Sequence, residues 1–315
     1  MVRLSTACTA GTEAVDPVKF ERVELRHRET VQAFTSRYGR GSCQQSFVTW
    51  FTLQEKYGDE IAREGDALFV RRSRLCTETE DVCLMPLGPG DAGEQVGMLL
   101  DECHSRGRKL VLFTVTEEDA ADISAAFPGT FQIAENRDYA EYLFETDRLI
   151  GMSGPELAKK RNNLGRFHRA YEGMVETVPL TADCMDEAKA YSDAWFAANI
   201  ESHDRESMLR EQRCMALQFA HFDTLGLRGF LLRINGTARG LCYGVPLSEQ
   251  VFDGLIMKAD RDVIQINVFM YAEIARICGC PVLDAEEDLG VPGLRESKLG
   301  FKPARLLKKY VVREV

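Results

Sequence analysis

The sequence contains no long uninterrupted run of apolar residues. Its most apolar stretch, Val263 to Cys280, is broken by polar and charged side chains, namely Gln265, Asn267, Glu273 and Arg276. A membrane-spanning helix needs about 18 or more consecutive apolar residues. The sequence therefore predicts no transmembrane segment.

Paired cysteines are also lacking. The chain has 10 cysteines, and no two of them form a Cys-x-x-Cys pair. Cys278 and Cys280 lie close together, but a metal site there would need two more ligands, and no histidine is near. Scattered cysteines are typical of reduced thiols in the cytoplasm. Residues 1–20 hold no apolar core of signal-peptide length. We therefore expect a cytoplasmic protein without a metal site.

Positive charge is in deficit. Lys and Arg number 39 against 49 Asp and Glu, so the net charge at pH 7 is −10. This charge argues against non-specific nucleic-acid binding by the protein as a whole, although it does not exclude a local basic patch. A hydrophobic fraction of 45% is typical of a soluble globular protein. The 315 residues suffice for one large or two ordinary domains.

A hydrolase signature is missing as well. Ser202, His203 and Asp204 stand next to one another in the sequence. The members of a catalytic triad, however, converge in space from separate segments. Adjacency in the sequence does not provide that geometry, so we do not predict a hydrolase.

The two halves of the chain contain similar hairpin patterns. Asp66 to Arg71 and Asp81 to Leu87 are strand-like in the first half, as Gly229 to Ile234 and Leu241 to Leu247 are in the second. Asn235-Gly236 is a strong hairpin-turn signal. Both hairpins end in an apolar residue followed by Pro-Leu. The similarity suggests two copies of one mixed α/β unit.

The boundary between the two units lies near Gly151 to Gly173. We predict an α/β (mixed α+β) fold with two domains, residues 1–150 and 151–315. Apolar runs predict further strands at Tyr142 to Leu149 and, as the last element, at Leu306 to Val312.

A basic helix is predicted at the start of the second unit. Ser153 and Glu156 fit a capping box, and the helix runs to about Tyr171. It carries five basic residues, which are Lys159, Lys160, Arg161, Arg166 and Arg169. Lys160, Arg161 and the neutral Asn162 are candidate anion-binding residues, because Lys and Arg suit phosphate oxygens. The alternative is a solvated helix whose charges face the acidic remainder of the protein.

An acidic strand end followed by a basic helix is the most distinctive segment. Four carboxylates, of which Glu287 and Asp288 are the candidate catalytic groups, lie between Asp284 and Asp288. Arg295 and Lys298 follow, three residues apart on one face of a short helix. Carboxylates beside fixed cations can bind an amine together with an acyl or phosphate group. The alternative is a structural ion network in which Arg295 holds Asp288 or Glu287.

These segments carry a family resemblance. Lys160-Arg161-Asn162 before Phe167, and the segment from Ala285 to Lys298, resemble the phosphatidylglycerol lysyltransferase C-terminal domain family. The resemblance extends over nearly the whole chain and implies two tandem GNAT-like acyltransferase domains. Better-known members move an aminoacyl group from a charged tRNA to a lipid head group and carry a long membrane-spanning region. This chain is similar to the free-standing cytoplasmic members.

The GNAT resemblance can be compared residue by residue. GNAT enzymes that use acyl-CoA place small residues at a helix start, where backbone N–H groups reach the pyrophosphate. Aligned on Arg261, both small positions hold branched residues, Ile264 and Ile266. Arg261 remains a candidate anion contact at a helix N-terminus. Asn267, within the apolar helix, is expected either as a satisfied core amide or as a polar group at the bottom of the cleft.

The resemblance and the residues together predict an aminoacyl- or acyltransferase. Glu287 or Asp288 would orient or deprotonate an attacking amine, while Arg161, Arg295 and Lys298 would hold the anionic part of a substrate. Aminoacyl-tRNA or acyl-CoA would be the donor substrate, with no tightly bound cofactor and with tRNA as a possible partner. The alternative is a non-catalytic ligand-binding or regulatory module that keeps the fold.

Overall fold

A computed structural model describes residues 18–202 and 204–315. The segment 1–17, which includes most of the stretch assessed for a signal peptide, and His203 of the Ser-His-Asp triplet lie outside the described residues. The described strands are β1 (Glu21–Arg22), β2 (Asp59–Glu64), β3 (Ala67–Arg72), β4 (Glu80–Cys83), β5 (Lys109–Thr116), β6 (Phe131–Glu135), β7 (Glu141–Glu145), β8 (Val175–Pro179), β9 (Arg228–Ile234), β10 (Thr237–Pro246), β11 (Val251–Ala259), β12 (Val282–Glu287), β13 (Arg305–Leu307) and β14 (Lys309–Glu314).

Helices cover the two sheets that these strands form. They are α1 (Arg28–Tyr38), α2 (Phe47–Thr52), α3 (Gln54–Tyr57), α4 (Ala92–Ser105), α5 (Glu117–Ala126), α6 (Thr146–Gly151), α7 (Ala158–Ala170), α8 (Met185–Asn199), α9 (Arg205–Ala220), α10 (Phe222–Leu225), α11 (Ile266–Ile277) and α12 (Pro292–Leu299). The predicted mixed α/β fold is confirmed. No helix in the described part of the chain is long and apolar enough to span a membrane.

The two sheets have the same topology. The first has the strand order β1-β2-β3-β4-β5-β14-β6, and the second has the order β8-β9-β10-β11-β12-β7-β13. Each sheet contains one parallel pair, β4 with β5 and β11 with β12, among antiparallel neighbours. The repeat inferred from the hairpins is therefore a repeat of a whole seven-stranded unit.

The sheets exchange one strand each. Strand β7, from the first half of the sequence, pairs with β12 and β13 in the second sheet. Strand β14, at the end of the chain, pairs with β5 and β6 in the first sheet. The strands thus do not follow the predicted division at residue 150. The predicted last strand, Leu306 to Val312, is in fact two strands in different sheets, and the predicted strand Tyr142 to Leu149 ends at Glu145 and continues as α6.

The basic helix begins differently from the prediction. Ser153 does not cap it, because the chain turns at Gly154 (φ 96°) into a 3₁₀ turn before α7 starts. Glu156 is bound instead by Arg148 of α6. The helix is anchored by the buried Phe167, whose ring stacks on Phe269 of α11 at 4.4 Å. Lys159, Arg166 and Arg169 are left exposed to solvent.

The main hydrophobic core lies between the two sheets. It combines side chains of the first sheet, such as Val70, with side chains of the second, such as Val245, and with Trp50 of α2. Since this core is shared, the two halves form one folded unit. The candidate site lies on the face of the second sheet that is turned toward this core.

Candidate functional site

A gap opens between two strands of the second sheet. The parallel strands β11 and β12 are paired only over residues 251–253 and 282–284. Beyond that point β12 has a register shift against β7 between Asp284 and Glu287. Glu286 lies within this bulge with φ +56°, a conformation that L-residues rarely adopt. Strained backbone of this kind is concentrated at functional sites.

Two half-buried carboxylates lie at this bulge. Glu287 accepts hydrogen bonds from the Cys43 thiol (3.3 Å) and the Gln44 side-chain amide (3.0 Å). The Glu286 side chain makes no hydrogen bond to any residue in the described part of the chain. Burial, followed by repulsion from Glu287, raises the pKa of Glu286 to about 8. Glu286 is therefore mostly protonated at neutral pH, and a positively charged group entering the gap would favour its ionised form.

A second acidic group lies beneath this pair and is fully buried. It consists of Glu141 on β7, Asp284 on β12 and Asp253 on β11. Asp253 and Asp284 are in-register neighbours on the parallel strands. Burial, with repulsion from the surrounding carboxylates, raises the pKa values of Asp253 and Asp284 well above the usual range. Cys43 lies beside this group, and ligand atoms of Cys43, Glu141 and Asp284 all lie within 4.8 Å of one another.

Residues from distant parts of the chain contribute to the site, and sequence reasoning missed them. Lys309 of β14 forms a fully buried ion pair with Glu141 at 3.0 Å and donates to the Ser42 hydroxyl. The Gln44 amide accepts from Arg72 at 2.7 Å while it donates to Glu287. No motif marked these positions. The Cys43–Glu287, Gln44–Glu287 and Ser42–Lys309 contacts each span more than 200 residues of sequence, and the tertiary fold brings these residues together.

Asp288 is held differently from the other acids. It is fully buried and accepts hydrogen bonds from Arg295, Tyr142, Arg137 and the Gly290 backbone N–H. Burial alone would raise its pKa, but the hydrogen bonds from Arg295, Tyr142 and Gly290 lower the pKa well below its usual range. A carboxylate with its oxygens occupied in this way is a poor base. The geometry favours a positioning role over the predicted proton transfer.

The two cations of α12 also act within the protein. Arg295 binds both Asp288 oxygens and Asp138, as the predicted alternative of an ion network requires. Lys298 donates to three backbone carbonyls of the bulged strand end, those of Ala285, Glu286 and Glu287. These contacts hold the turn that carries Glu286 and Glu287. They leave the Lys298 ammonium without a free donor for the predicted anion.

The three candidate anion-binding residues on the basic helix have different surroundings, and they do not form one site. The Lys160 ammonium lies over the Phe301 ring at 3.8 Å, and burial lowers its pKa. Arg161 donates to the carbonyls of Met152 and Gly154, so it closes the turn before the helix. Asn162 is exposed. None of these three contacts the acidic groups within the described residues.

The segment before α11 corrects a further expectation. Asn267 is exposed in the first turn of α11, and is neither a core amide nor at the bottom of the cleft. Arg261 is exposed as well. The backbone N–H of Ile264 already donates to the Tyr171 hydroxyl at 3.0 Å, and Ile266 is buried. The N–H groups of a phosphate cradle are thus partly occupied at this helix start.

Comparison with known proteins decides the family. The sequence model of the family described as "Phosphatidylglycerol lysyltransferase, C-terminal" matches residues 35–313. This chain belongs to that family. No curated protein matches the chain significantly.

Three solved structures are similar in fold. A conserved protein of unknown function from Bacteroides thetaiotaomicron has 27% sequence identity and a TM-score of 0.87, with 95% of this chain and 100% of that chain covered. The C-terminal domain of a putative lysylphosphatidylglycerol synthetase from Agrobacterium fabrum has 14% identity and a TM-score of 0.64, with 92% of both chains covered. L-PGS from Bacillus licheniformis has 17% identity and a TM-score of 0.60, with 91% of both chains covered.

The family resemblance and the fold read from the sequence are therefore confirmed. The chain consists of two repeated mixed α/β units, and membership of the phosphatidylglycerol lysyltransferase C-terminal family supports an acyltransferase-like function. Both units contain the parallel strand pair, β4–β5 in the first and β11–β12 in the second. The acidic groups, in contrast, lie only on strands of the second sheet, where residues of the first unit contact them.

Proposed function

We propose that this chain transfers an aminoacyl or acyl group from an activated donor to an amine or hydroxyl acceptor, with aminoacyl-tRNA favoured over acyl-CoA as the donor. The observation that carries the proposal is the half-buried pair of Glu286 and Glu287 beside the gap between β11 and β12. Their mutual repulsion favours a substrate group that brings positive charge or hydrogen-bond donors. An amine or an aminoacyl ammonium group has both.

The reaction requires little covalent participation by the protein. The acceptor nitrogen or oxygen attacks the carbonyl carbon of the ester or thioester, a new C–N or C–O bond forms, and the bond to the leaving oxygen or sulfur breaks. The acceptor proton passes by way of Glu286 or Glu287 to the leaving group. Because the ester is already reactive, positioning and electrostatic stabilisation supply most of the rate.

Asp288, Arg295 and Lys298 have positioning roles in this proposal. Arg295 and Asp288 tie α12 to the end of β12, and Lys298 binds the carbonyls of the bulge itself. This replaces the direct proton transfer by Asp288 and the direct anion binding by Lys298 that the sequence suggested. Glu287 keeps the substrate-facing role, and Glu286 joins it.

The choice of donor follows from the surface near α11. Lys159, Arg166 and Arg169 are exposed on α7, and the Tyr171–Ile264 hydrogen bond joins the end of this helix to the exposed Arg261 segment. Exposed Lys and Arg side chains of this kind suit a nucleic-acid backbone. The occupied Ile264 N–H, in contrast, is unavailable to a CoA pyrophosphate. Both features favour a tRNA donor.

The test is a transfer assay with radiolabelled aminoacyl-tRNAs, run in parallel with acyl-CoA, against lipids, peptides and small amines. Glu286→Gln and Glu287→Gln should each lower the rate by about 10²-fold or more, the usual share of a positioned carboxylate. Glu296→Gln, which changes an exposed side chain of α12, is the matched control and should retain the wild-type rate. No transfer from any donor by folded protein would refute the proposal.

A non-catalytic ligand-binding module is the second candidate. The observation that favours it is the branched, exposed Ile264, whose N–H is already bound to Tyr171. The double variant Glu287→Gln, Asp288→Asn separates the two functions. If a ligand of wild-type protein still binds while turnover is lost, the chain is a transferase. If the wild-type protein shows no turnover but binds a ligand, and the double variant loses that binding, the chain is a binding module.

A further inference from the structure

Four buried oxygen atoms in the deep acidic group have no hydrogen-bond partner. They are Oε2 of Glu141, Oδ2 of Asp284 and both carboxylate oxygens of Asp253. All three residues are fully buried. Buried polar atoms are nearly always paired, so each orphan in a folded protein requires an explanation. Four of them in one place point to a bound species that the protein chain itself does not supply.

These atoms converge from separate segments of the chain. Glu141, Asp253 and Asp284 come from three strands of the second sheet, and Cys43 comes from the 3₁₀ turn before α2. Ligand atoms of Cys43, Glu141 and Asp284 lie within 4.8 Å of one another. Tetrahedral zinc, with Zn–S bonds of about 2.3 Å and Zn–O bonds of about 2.0–2.2 Å, holds its ligand atoms roughly 3.4–3.7 Å apart. The three side chains are therefore close enough to enter one coordination sphere after small rotations.

Shared protons alone account for the group less well. One proton between Glu141 and Asp284 would satisfy two of the four oxygens. It would leave Asp253 without a partner, since no donor of a described residue is bonded to either of its oxygens. Among the described residues, Lys309 is the only buried cation that forms an ion pair with the deep acidic group. It contacts Oε1 of Glu141, which is not one of the four unpaired oxygens. A divalent cation would satisfy several oxygens at once and reduce the negative charge.

We propose that Cys43, Glu141 and Asp284 bind one divalent transition-metal cation of borderline softness, such as Zn²⁺. A water molecule would be the fourth ligand and would donate to Asp253, the in-register neighbour of Asp284. On binding, the Cys43 thiol loses its proton to solvent, and a metal–sulfur bond forms without any change of oxidation state. One thiolate with carboxylates suits Zn²⁺ better than Mg²⁺ or Ca²⁺, which prefer oxygen alone. Lys309 and Ser42, which bind the other oxygen of Glu141, would orient that ligand.

The role proposed for this site is structural, because Cys43, Glu141 and Asp284 are all buried and out of reach of a substrate. Metal binding would take the Cys43 thiol away from Glu287, which keeps its hydrogen bond from Gln44. The metal would join the Cys43 turn of the first half to strands β7 and β12 of the second sheet. It would thus hold together the two halves that form the cleft.

The test is direct measurement of metal on the full chain. Elemental analysis after purification in zinc-containing buffer should find about one zinc per chain. Chelator-treated protein titrated with Co²⁺ should develop a thiolate-to-cobalt charge-transfer band. Cys43→Ser should abolish this band, and Asp284→Asn should abolish stoichiometric binding. Cys278→Ser is the matched control, because Cys278 is also buried but is bonded only to backbone carbonyls.

Folding is checked by circular dichroism, and Cys43→Ala serves as a second variant should Cys43→Ser not fold. Absence of metal from wild-type protein, together with no cobalt band at micromolar Co²⁺, would overturn the proposal. A band that survives Cys43→Ser but disappears in Cys278→Ser would overturn it too, since it would place the metal elsewhere.

Discussion

The buried pair of Asp59 and Arg72 offers a sharp test of how the first half supports the site. Both side chains are fully buried, and the guanidinium lies 3.4 Å from the carboxylate. Arg72 also packs over the Tyr57 ring at 3.8 Å and donates to Gln44, which in turn holds Glu287. Arg72→Met keeps the length of the side chain but removes its charge. It leaves Asp59 buried without a counter-charge.

The expected cost follows from that stranded carboxylate. Removing one partner of a buried ion pair destabilises a protein by about 3–5 kcal/mol. With an unfolding entropy of roughly 2.1 cal/mol/K per residue, a chain of 315 residues should lose roughly 5–8 °C in Tm. Thermal and urea unfolding followed by circular dichroism measure this directly. Arg213→Met is the matched control, because the Arg213–Glu55 pair is exposed and should leave the Tm nearly unchanged.

The pH dependence gives the sign of the effect. Burial raises the pKa of Asp59 to about 6, although Arg72 lowers it. A raised carboxyl pKa means that stability is highest below the unfolded-state pKa near 4 and falls as pH rises through the folded-state value. Without Arg72 the folded-state pKa is higher still, so the variant continues to lose stability above pH 6. The deficit of Arg72→Met should therefore be larger at pH 8 than at pH 5.

A double variant identifies the origin of the cost. Asp59→Asn combined with Arg72→Met removes both charges, and at pH 8 it should be more stable than Arg72→Met alone. The reasoning is refuted if Arg72→Met unfolds within about 1 kcal/mol of wild type, or if the double variant is less stable than the sum of the single effects.

Two further predictions concern packing. A Cβ at Gly244 would lie 1.9 Å from the backbone oxygen of Asp253. Gly244→Ala should therefore force β10 and β11 away from each other and yield little folded protein. Gly293→Ala is the control, because a Cβ at Gly293 has open space around it, and this variant should match wild type in yield and Tm. Phe167→Ala should lower the free energy of unfolding, measured in urea, by about 3–5 kcal/mol, because the ring is fully buried beneath the basic helix. A decrease in this free energy of less than about 1 kcal/mol would mean that Phe167 does not anchor the helix.

The sequence predicted those features that depend on neighbouring residues. Apolar runs located several strands, and the predicted strand Gly229 to Ile234 agrees with β9 (Arg228–Ile234) to within one residue. The similarity of the two hairpins indicated the repeat. The acidic strand end and the short basic helix were identified together, and Arg295 does bind Asp288. Periodicity and turn chemistry act over a few residues, so they can be read from one stretch of chain.

Tertiary structure decided what depends on distant partners. The sequence could not show that β7 and β14 exchange sheets, because strand pairing is set by the complete core rather than by either strand. Nor could it show that Asp288 is held by several hydrogen bonds while the side chain of Glu286, two residues earlier, makes none to the described residues. A one-residue bulge reverses the faces to which side chains point. Periodicity also placed Asn267 in an apolar helix without showing which of its faces would be exposed.

The sequence by itself thus determined the repeated α/β unit and the family, and it pointed to the segment in which we propose the chemistry. Only the tertiary structure determined which carboxylates are free. It also brought Cys43, Gln44 and Lys309 to that segment from far along the chain. The physical reason is the range of the interactions. Helix and strand formation follows from residues a few positions apart, whereas burial and charge pairing depend on which distant side chains the exchanged strands bring into contact.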